Sequence, residues 1–168
     1  MRGDILIRTA LLTISDKCSM GQRIDGTGEA IRNQLTGKGY IVEYYNIIPD
    51  EIEEIEKEIV YLCDVMKINL ILTNGGTGFA ARDVTPEATR NVIEKYVPGF
   101  GEAMRIKSLE ITPKAMLSRG ISGIRGRTLI INLPGSPKGA VENLQIIMSA
   151  IPHGIDILIG EASECARS

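Results

Sequence analysis

The sequence predicts a three-layer α/β/α sandwich built on a mainly parallel sheet, with one domain spanning residues 1–168. Three observations predict it. Apolar, strand-like runs alternate with segments of helical periodicity along the chain. The runs Ile5 to Ile14 and Ile68 to Thr73 are apolar at consecutive positions, the pattern of strands buried on both faces. No repeat, linker or low-complexity tract interrupts the 168 residues, a length that suits one domain with a substantial core.

The opening strand, Ile5 to Ile14, has only Arg8 and its threonines as polar residues. A polar, glycine-rich segment from Ser15 to Gly28 leads into a helix through Ala30, Ile31 and Leu35, which Gly37 and Gly39 end. Tyr40 to Ile48 reads as a second strand, closed by Pro49-Asp50. Ile52, Ile55, Ile59, Leu62 and Met66 recur at helical spacing, with Glu53, Glu54, Glu56 and Glu58 turned mostly outward. The strand Ile68 to Thr73 then runs into Asn74-Gly75-Gly76-Thr77-Gly78. Thr85-Pro86-Glu87 predicts the next helix start: Thr85 as N-cap, proline at the first helical position, a carboxylate near the positive end of the dipole. Pro98 and Gly99 break that helix, and Phe100 to Leu109 forms another. Ile121 to Arg125 and Thr128 to Leu133 read as strands separated by Gly126. Ser136-Pro137 opens a helix carrying Val141, Leu144 and Ile147 on one face, and Ile151 to Ile159 follows as helix or strand.

Composition narrows the function. The formal net charge is -2 and the sequence pI about 5.5, so no broad basic field exists to hold nucleic acid. With no Trp, two Phe and five Tyr, a base-stacking platform is also disfavoured. Cys18, Cys63 and Cys165 are far apart, and His153 is the one histidine, which argues against a zinc site. The hydrophobic run after Met1-Arg2-Gly3-Asp4 is too short for a secretory leader or a membrane span, and the odd cysteine count fits a reducing cytoplasm.

In folds of this class ligands bind beyond the carboxyl ends of the strands. The loops that begin at Ser15, Pro49, Thr73 and Asn132 are therefore the ones to inspect. The strongest feature is the stretch Leu72 to Asp83, where Gly75, Gly76 and Gly78 let the backbone turn tightly and bring N–H groups close to an anion, and Thr77 adds a hydroxyl. An ordinary strand-to-helix turn would use the same residues. No G-x-x-x-x-G-K-[ST] occurs, so a P-loop is absent. Gly76 to Ala81 matches the dinucleotide fingerprint G-x-G-x-x-A, but the Thr85-Pro86 helix start comes too late for it.

Asp50 and Asp83 each follow a strand, and facing one another across a crevice they could hold Mg²⁺ against ATP phosphates. Taken singly, an Asp before a helix is more often a cap than a metal ligand, and Asp50-Glu51 in particular could simply charge a helix N-terminus. Asn132 to Lys138 forms a rigid two-proline loop in which Ser136 precedes a helix start and Lys138 could meet phosphate; a turn plus N-cap is the plainer use. Ser15, Asp16, Asp25 and Gly26 place hydroxyl, carboxylates and glycine at another strand end, as candidates for ATP or phosphate contacts. Ser118-Arg119 precedes the glycine-rich stretch Gly120 to Gly126.

Taken in order, the blocks Leu12-Thr13-Ile14-Ser15-Asp16, Asp25-Gly26-Thr27-Gly28, Ile48-Pro49-Asp50-Glu51 and Gly75-Gly76-Thr77-Gly78 with its trailing Arg82-Asp83-Val84-Thr85-Pro86-Glu87-Ala88 resemble the molybdopterin adenylyltransferase (MogA/MoaB-type) family. The resemblance continues through Pro98-Gly99-Phe100-Gly101-Glu102, Leu117-Ser118-Arg119 and Asn132-Leu133-Pro134-Gly135. It implies transfer of AMP from ATP to the phosphate of molybdopterin by a trimeric or hexameric protein in molybdenum- or tungsten-cofactor assembly. The acidic pair of that family falls on Asp50 and Asp83, with Mg²⁺ between them. Molybdopterin contacts map to Gly75, Gly76, Thr77, Gly78, Ser118, Pro134, Gly135, Ser136 and Pro137. The molybdate-insertion enzyme of the same pathway is the implied protein partner. Asn74 departs from the pattern, where Thr or Ser is common. The attacking phosphate is already anionic near neutral pH, so a chain with one histidine needs no general base. A non-catalytic molybdopterin-binding protein of the same fold is the nearest rival, and an NAD(P)-dependent oxidoreductase using Gly76 to Ala81 the rival from another class.

Overall fold

A computed structural model describes residues 6–160. Ile5, the first residue of the predicted opening strand, and Cys165 lie outside them. In chain order the elements are β1 (Ile7–Ile14), α1 (Asp16–Ser19), α2 (Gly26–Leu35), β2 (Tyr40–Ile48), α3 (Ile52–Asp64), β3 (Leu70–Asn74) and α4 (Thr85–Val92). They continue as β4 (Lys95–Tyr96), α5 (Pro98–Leu109), a 3-10 turn (Pro113–Leu117), β5 (Ser122–Arg125), β6 (Thr128–Leu133), α6 (Pro137–Ile147) and α7 (Ile151–Ile159).

The strands form one sheet in the order β2-β1-β3-β6-β5-β4. The first four are mutually parallel, while β5 runs antiparallel to β6 and β4 antiparallel to β5. Side-chain alternation on the fully buried strands feeds two cores. Leu11, Leu70, Leu72, Leu129 and Ile131 pack on one face against Ile31 and Leu35 of α2, Leu144 of α6 and Ile155 of α7. Leu12, Ile14, Ile71 and Ile130 pack on the other against Ile55, Ile59 and Leu62 of α3 and Ala88 of α4. Burying both faces is what makes these strands read as continuous apolar runs. The result is the three-layer α/β/α arrangement that the sequence predicts.

Some elements differ from the sequence reading. Ser15 to Gly28 contains a four-residue helix, α1. Lys95 and Tyr96 form a short edge strand paired to Ile124 and Gly123. Ile151 to Ile159 is a helix. Thr85 is not the N-cap of α4; Val84 occupies that position. The Thr85 hydroxyl donates instead to the Gly75 carbonyl at 2.9 Å, and its N–H to the Gly76 carbonyl at 3.1 Å. A residue expected to cap the start of a helix is used to tie down the glycine loop.

Candidate active site

The chain leaves β1 toward β2 on one side and enters β3 on the other, so the loops after β1 and β3 diverge at a topological switch point. A cleft of about 600 Å³ opens there. All of the four loops singled out in the sequence contribute to it: Ser15 after β1, Asp50 after β2, Gly75 and Gly76 after β3, and Gly135 to Pro137 after β6. Asp83, Asp25 and Gly26 complete the wall from farther along their loops. The fingerprint Gly76 to Ala81 lies in a loop that ends only where α4 begins at Thr85, so no helix N-terminus sits within its glycines.

Gly75 and Gly76 have φ of 94° and 65°, in the left-handed region that disfavours a side chain. A Cβ at position 75 would run into the Ile14 carbonyl, and one at 76 into the Thr85 hydroxyl. Glycine is needed there for close approach to β1 and α4 as well as for the turn. The amides divide into two sets. The Gly75 N–H donates to the Leu133 carbonyl at 3.3 Å and is spent on the sheet. Those of Gly76, Thr77 and Gly78 have no acceptor among the described residues, which leaves three donors for an anionic ligand.

Asp50 and Asp83 line the same cleft. Asp50 exchanges hydrogen bonds with Asp16: its Oδ2 accepts the Asp16 N–H at 2.8 Å and its own N–H donates to Asp16 Oδ1 at 3.1 Å. Arg82 closes the pair by donating to Asp16 Oδ2 at 2.7 Å and to Glu51 Oε1 at 2.7 Å. Burial raises the Asp50 pKa, the nearby charges of Asp16 and Asp83 raise it further, and the Asp16 N–H and Arg82 oppose them. Asp83 Oδ2 accepts the Ala80 N–H at 2.9 Å. Each of the two aspartates thus keeps one oxygen, Oδ1, without a hydrogen-bond partner among the described residues. A cation between them would relieve their repulsion. Among the described residues no group of three or more His, Cys, Asp and Glu is set to hold a metal. The donor set suits Mg²⁺, which takes one or two carboxylates and fills its shell with waters and substrate phosphates.

The remaining candidates separate. Ser15 caps α1, accepting the Cys18 N–H at 3.2 Å, and also receives Arg23 Nη2 at 3.1 Å. Asp25 is fully engaged. Its Oδ1 accepts the N–H groups of Thr27 and Gly28 at 3.0 and 2.9 Å, and its Oδ2 the hydroxyls of Thr13 and Tyr45, each at 2.5 Å. Burial opposes its ionisation, but these bonds together hold its pKa below the usual value; Tyr45 is pushed up to about 12, first by its own burial and then by its bond to the Asp25 carboxylate. A saturated carboxylate is a helix cap and loop anchor, and an anion offers nothing to phosphate. Asp16 likewise serves Asp50 and Arg82.

Ser136 is the N-cap of α6, accepting the Gly139 N–H at 3.1 Å. It also joins the cleft to a second, more apolar hollow of about 240 Å³, where Ser118 and Pro134 lie with Arg105 and Lys114. Thr77 and Gly78 sit beside the first cleft, held through their carbonyls by Arg119. Lys138 is 82% exposed with its Nζ 3.8 Å from Glu142, and lines neither hollow. His153 is exposed on α7, away from the cleft. The sequence reading gave no role to Arg23, which reaches the cleft from the loop before Asp25, or to Arg82 and Arg119. The arginines at 82 and 119 stood in the quoted motifs, beside Asp83 and Ser118, but their partners lie 31–66 residues away.

Comparison with known proteins places the chain in a family. The family model described as "Probable molybdopterin binding domain" matches residues 10–153. The chain is similar to the molybdopterin adenylyltransferase of Helicobacter pylori, 45% identical over 158 residues that cover 92% of this chain and 89% of that protein. It is also similar to the molybdopterin adenylyltransferase of Escherichia coli, 43% identical over 156 residues, 89% of this chain and 80% of the relative. The crystal structure of the molybdopterin biosynthesis enzyme MoaB from Thermus thermophilus superposes with a TM-score of 0.89 at 48% identity, covering 94% of this chain and 99% of that one. The chain belongs to the MogA/MoaB-type molybdopterin-binding family.

Proposed function

We infer that the protein is a molybdopterin adenylyltransferase, moving AMP from ATP to the phosphate of molybdopterin with release of diphosphate. The observation that carries the reading is one cleft lined by two carboxylates, each with an unengaged oxygen, and by Gly76, whose amide has no acceptor among the described residues, in a chain 45% identical to a protein of that name. An anion-binding loop alone would suit a passive pterin carrier. The acidic pair lining the same cleft suits chemistry between two anions.

Asp50 and Asp83 would hold Mg²⁺, which when bound offsets charge on ATP and on the departing diphosphate. The N–H groups of Gly76, Thr77 and Gly78 hold the molybdopterin side, and Ser118, Pro134, Gly135, Ser136 and Pro137 extend that wall into the second hollow. Catalysis rests on holding the two reactants in line and on charge neutralisation. The nucleophile is a phosphate oxygen already ionised near neutral pH, so no side chain needs to remove a proton. We place the enzyme in the cytoplasm, where ATP is supplied and where Cys18 and Cys63 stay free thiols. The adenylylated product passes to a molybdate- or tungstate-inserting enzyme.

A homo-oligomer, trimer or hexamer, belongs to the same reading. Among the described residues Ile106, Leu109, Ile111, Met116 and Leu117 are exposed within twelve residues of α5 and the turn after it, an apolar stretch that a second copy would cover. Sedimentation should give a mass above the 18.3 kDa of one chain, and Ile106→Glu should lower it. The function is tested by incubating protein, Mg²⁺-ATP and molybdopterin and measuring diphosphate. Stoichiometric or greater release that needs molybdopterin is expected; none, with tight pterin binding, would leave the non-catalytic carrier.

A further inference from the structure

The loop that carries Asp83 leaves the sheet at Asn74 and rejoins regular structure at α4. Phe79, Ala80, Ala81 and Arg82 in its middle are exposed. Asp83 N–H bonds the Ala80 carbonyl and the Asp83 carboxylate takes the Ala80 N–H, both at 2.9 Å. Residues 80–83 therefore form a small closed turn. Those two bonds fix its shape but not its place against the cleft.

Thr85 ties down the start of the loop at Gly75 and Gly76, and Arg119, arriving from the segment between the 3-10 turn and β5, attaches the part that carries Asp83. Its main-chain N–H donates to the Thr77 carbonyl at 2.9 Å. In its side chain Nε donates to the Gly78 carbonyl at 2.8 Å and Nη2 to the Asp83 carbonyl at 2.7 Å, while Nη1 pairs with the Glu87 carboxylate. One planar group thus joins Gly78 and Asp83, on either side of the exposed residues 79–82, to the first turn of α4. We propose that Arg119 is a positioning residue for AMP transfer, a clamp that holds Asp83 at the cleft by its main chain; the proposal rests on the adenylyltransferase reading above.

The geometry needs a guanidinium. Three fixed N–H directions satisfy two carbonyls and one carboxylate at once, whereas a lysine ammonium on a flexible stem is a single point charge. Arg82 differs in kind. Its side chain is 54% exposed, its partners are Asp16 and Glu51, and exposed pairs of that sort contribute little. The Arg119 side chain is 34% exposed, with Gly78 and Asp83 covering its donors.

The test measures diphosphate release by wild type, Arg119→Ala and Arg119→Lys, together with hydrogen exchange at the amides of Ala80, Asp83 and Thr85. Displacing a reacting group by an ångström costs about a hundredfold, so Arg119→Ala should lose about that factor in kcat. Its KM for molybdopterin should stay within about twofold, because the amide donors and second hollow remain. Arg119→Lys, which keeps the charge and is the gentler change for folding, should recover less than about a tenth of the lost rate. Exchange at the three amides should speed up in both variants. Either variant retaining wild-type kcat, a loss confined to KM, or unchanged exchange would overturn the clamp. A wild type that releases no diphosphate would sink the adenylyltransferase reading instead, and the exchange measurement would still judge the attachment.

Discussion

The two oxygens of Asp83 differ: Oδ2 receives the Ala80 N–H and shapes the loop, and Oδ1 has no hydrogen-bond partner among the described residues, on a side chain whose residue lines the cleft. Asparagine can keep the bond to Ala80, because its carbonyl oxygen still accepts that N–H, but it removes the charge. Asp83→Asn should therefore melt within a few degrees of wild type and still bind molybdopterin. Its diphosphate release should fall by about a hundredfold or more, since charge stabilisation of this kind is worth several kcal/mol. Gly75→Ala isolates a backbone requirement instead. With φ of 94° and the Ile14 carbonyl in the path of any Cβ, the substitution should cost about 2–3 kcal/mol, read from urea unfolding. The need for glycine at 75 and 76 was legible as a motif. That the Gly75 amide is spent on Leu133 was not, because it depends on how β3 and β6 end side by side.

Elements with their own periodic signal were legible from the chain. β2, given as Tyr40 to Ile48, and α3, with isoleucines and leucine at helical spacing, form as the pattern dictates. Lys95 and Tyr96 carry no such signal; both are exposed, and their strand exists because Gly123 and Ile124 offer an edge to pair with. The four residues of α1 are likewise too few to show a period, and Ser15 sets that turn by capping it. The joining of elements around the cleft is where tertiary contact decides. Asn132, at the end of β6, donates through Nδ2 to Thr73 Oγ1 of β3 and Thr89 Oγ1 of α4, each at 3.0 Å, and accepts the Ile121 N–H at 3.2 Å. It is 1% exposed, so water cannot replace those bonds. Asn132→Ala leaves the Ile121 donor buried and two hydroxyls short of a partner, for a loss of about 3 kcal/mol. In a chain of this size that lowers Tm by roughly 10 °C, which calorimetry would read directly.

Over the whole molecule, charge ties folding to pH through carboxylates placed at loop junctions. Arg82 holds Asp16 below the usual carboxylate range, Arg8 does so for Glu43, and Arg125 for Asp64. Asp25 is held down by its four hydrogen bonds against the cost of burial. A group whose folded pKa lies below its unfolded one stabilises the fold above the unfolded value, about 4, and gives that up as pH falls through the folded value. Asp50 has the opposite sign. Its raised pKa favours folding at low pH and withdraws that contribution as the carboxyl ionises, so the cleft is built at some expense to stability near neutrality. The three arginine-paired groups are partly exposed and solvent screens them. Asp25, joining the β1 and β2 strands to α2 through Thr13, Tyr45, Thr27 and Gly28, should dominate the acid response. Unfolding free energies of wild type and Asp25→Asn measured from pH 7 down to about pH 3 separate the two cases. The gap between the proteins should be widest at neutral pH and close as Asp25 protonates in the wild type. A gap that keeps its width across that range would mean that the hydroxyls and amides around position 25 hold the junction without its charge.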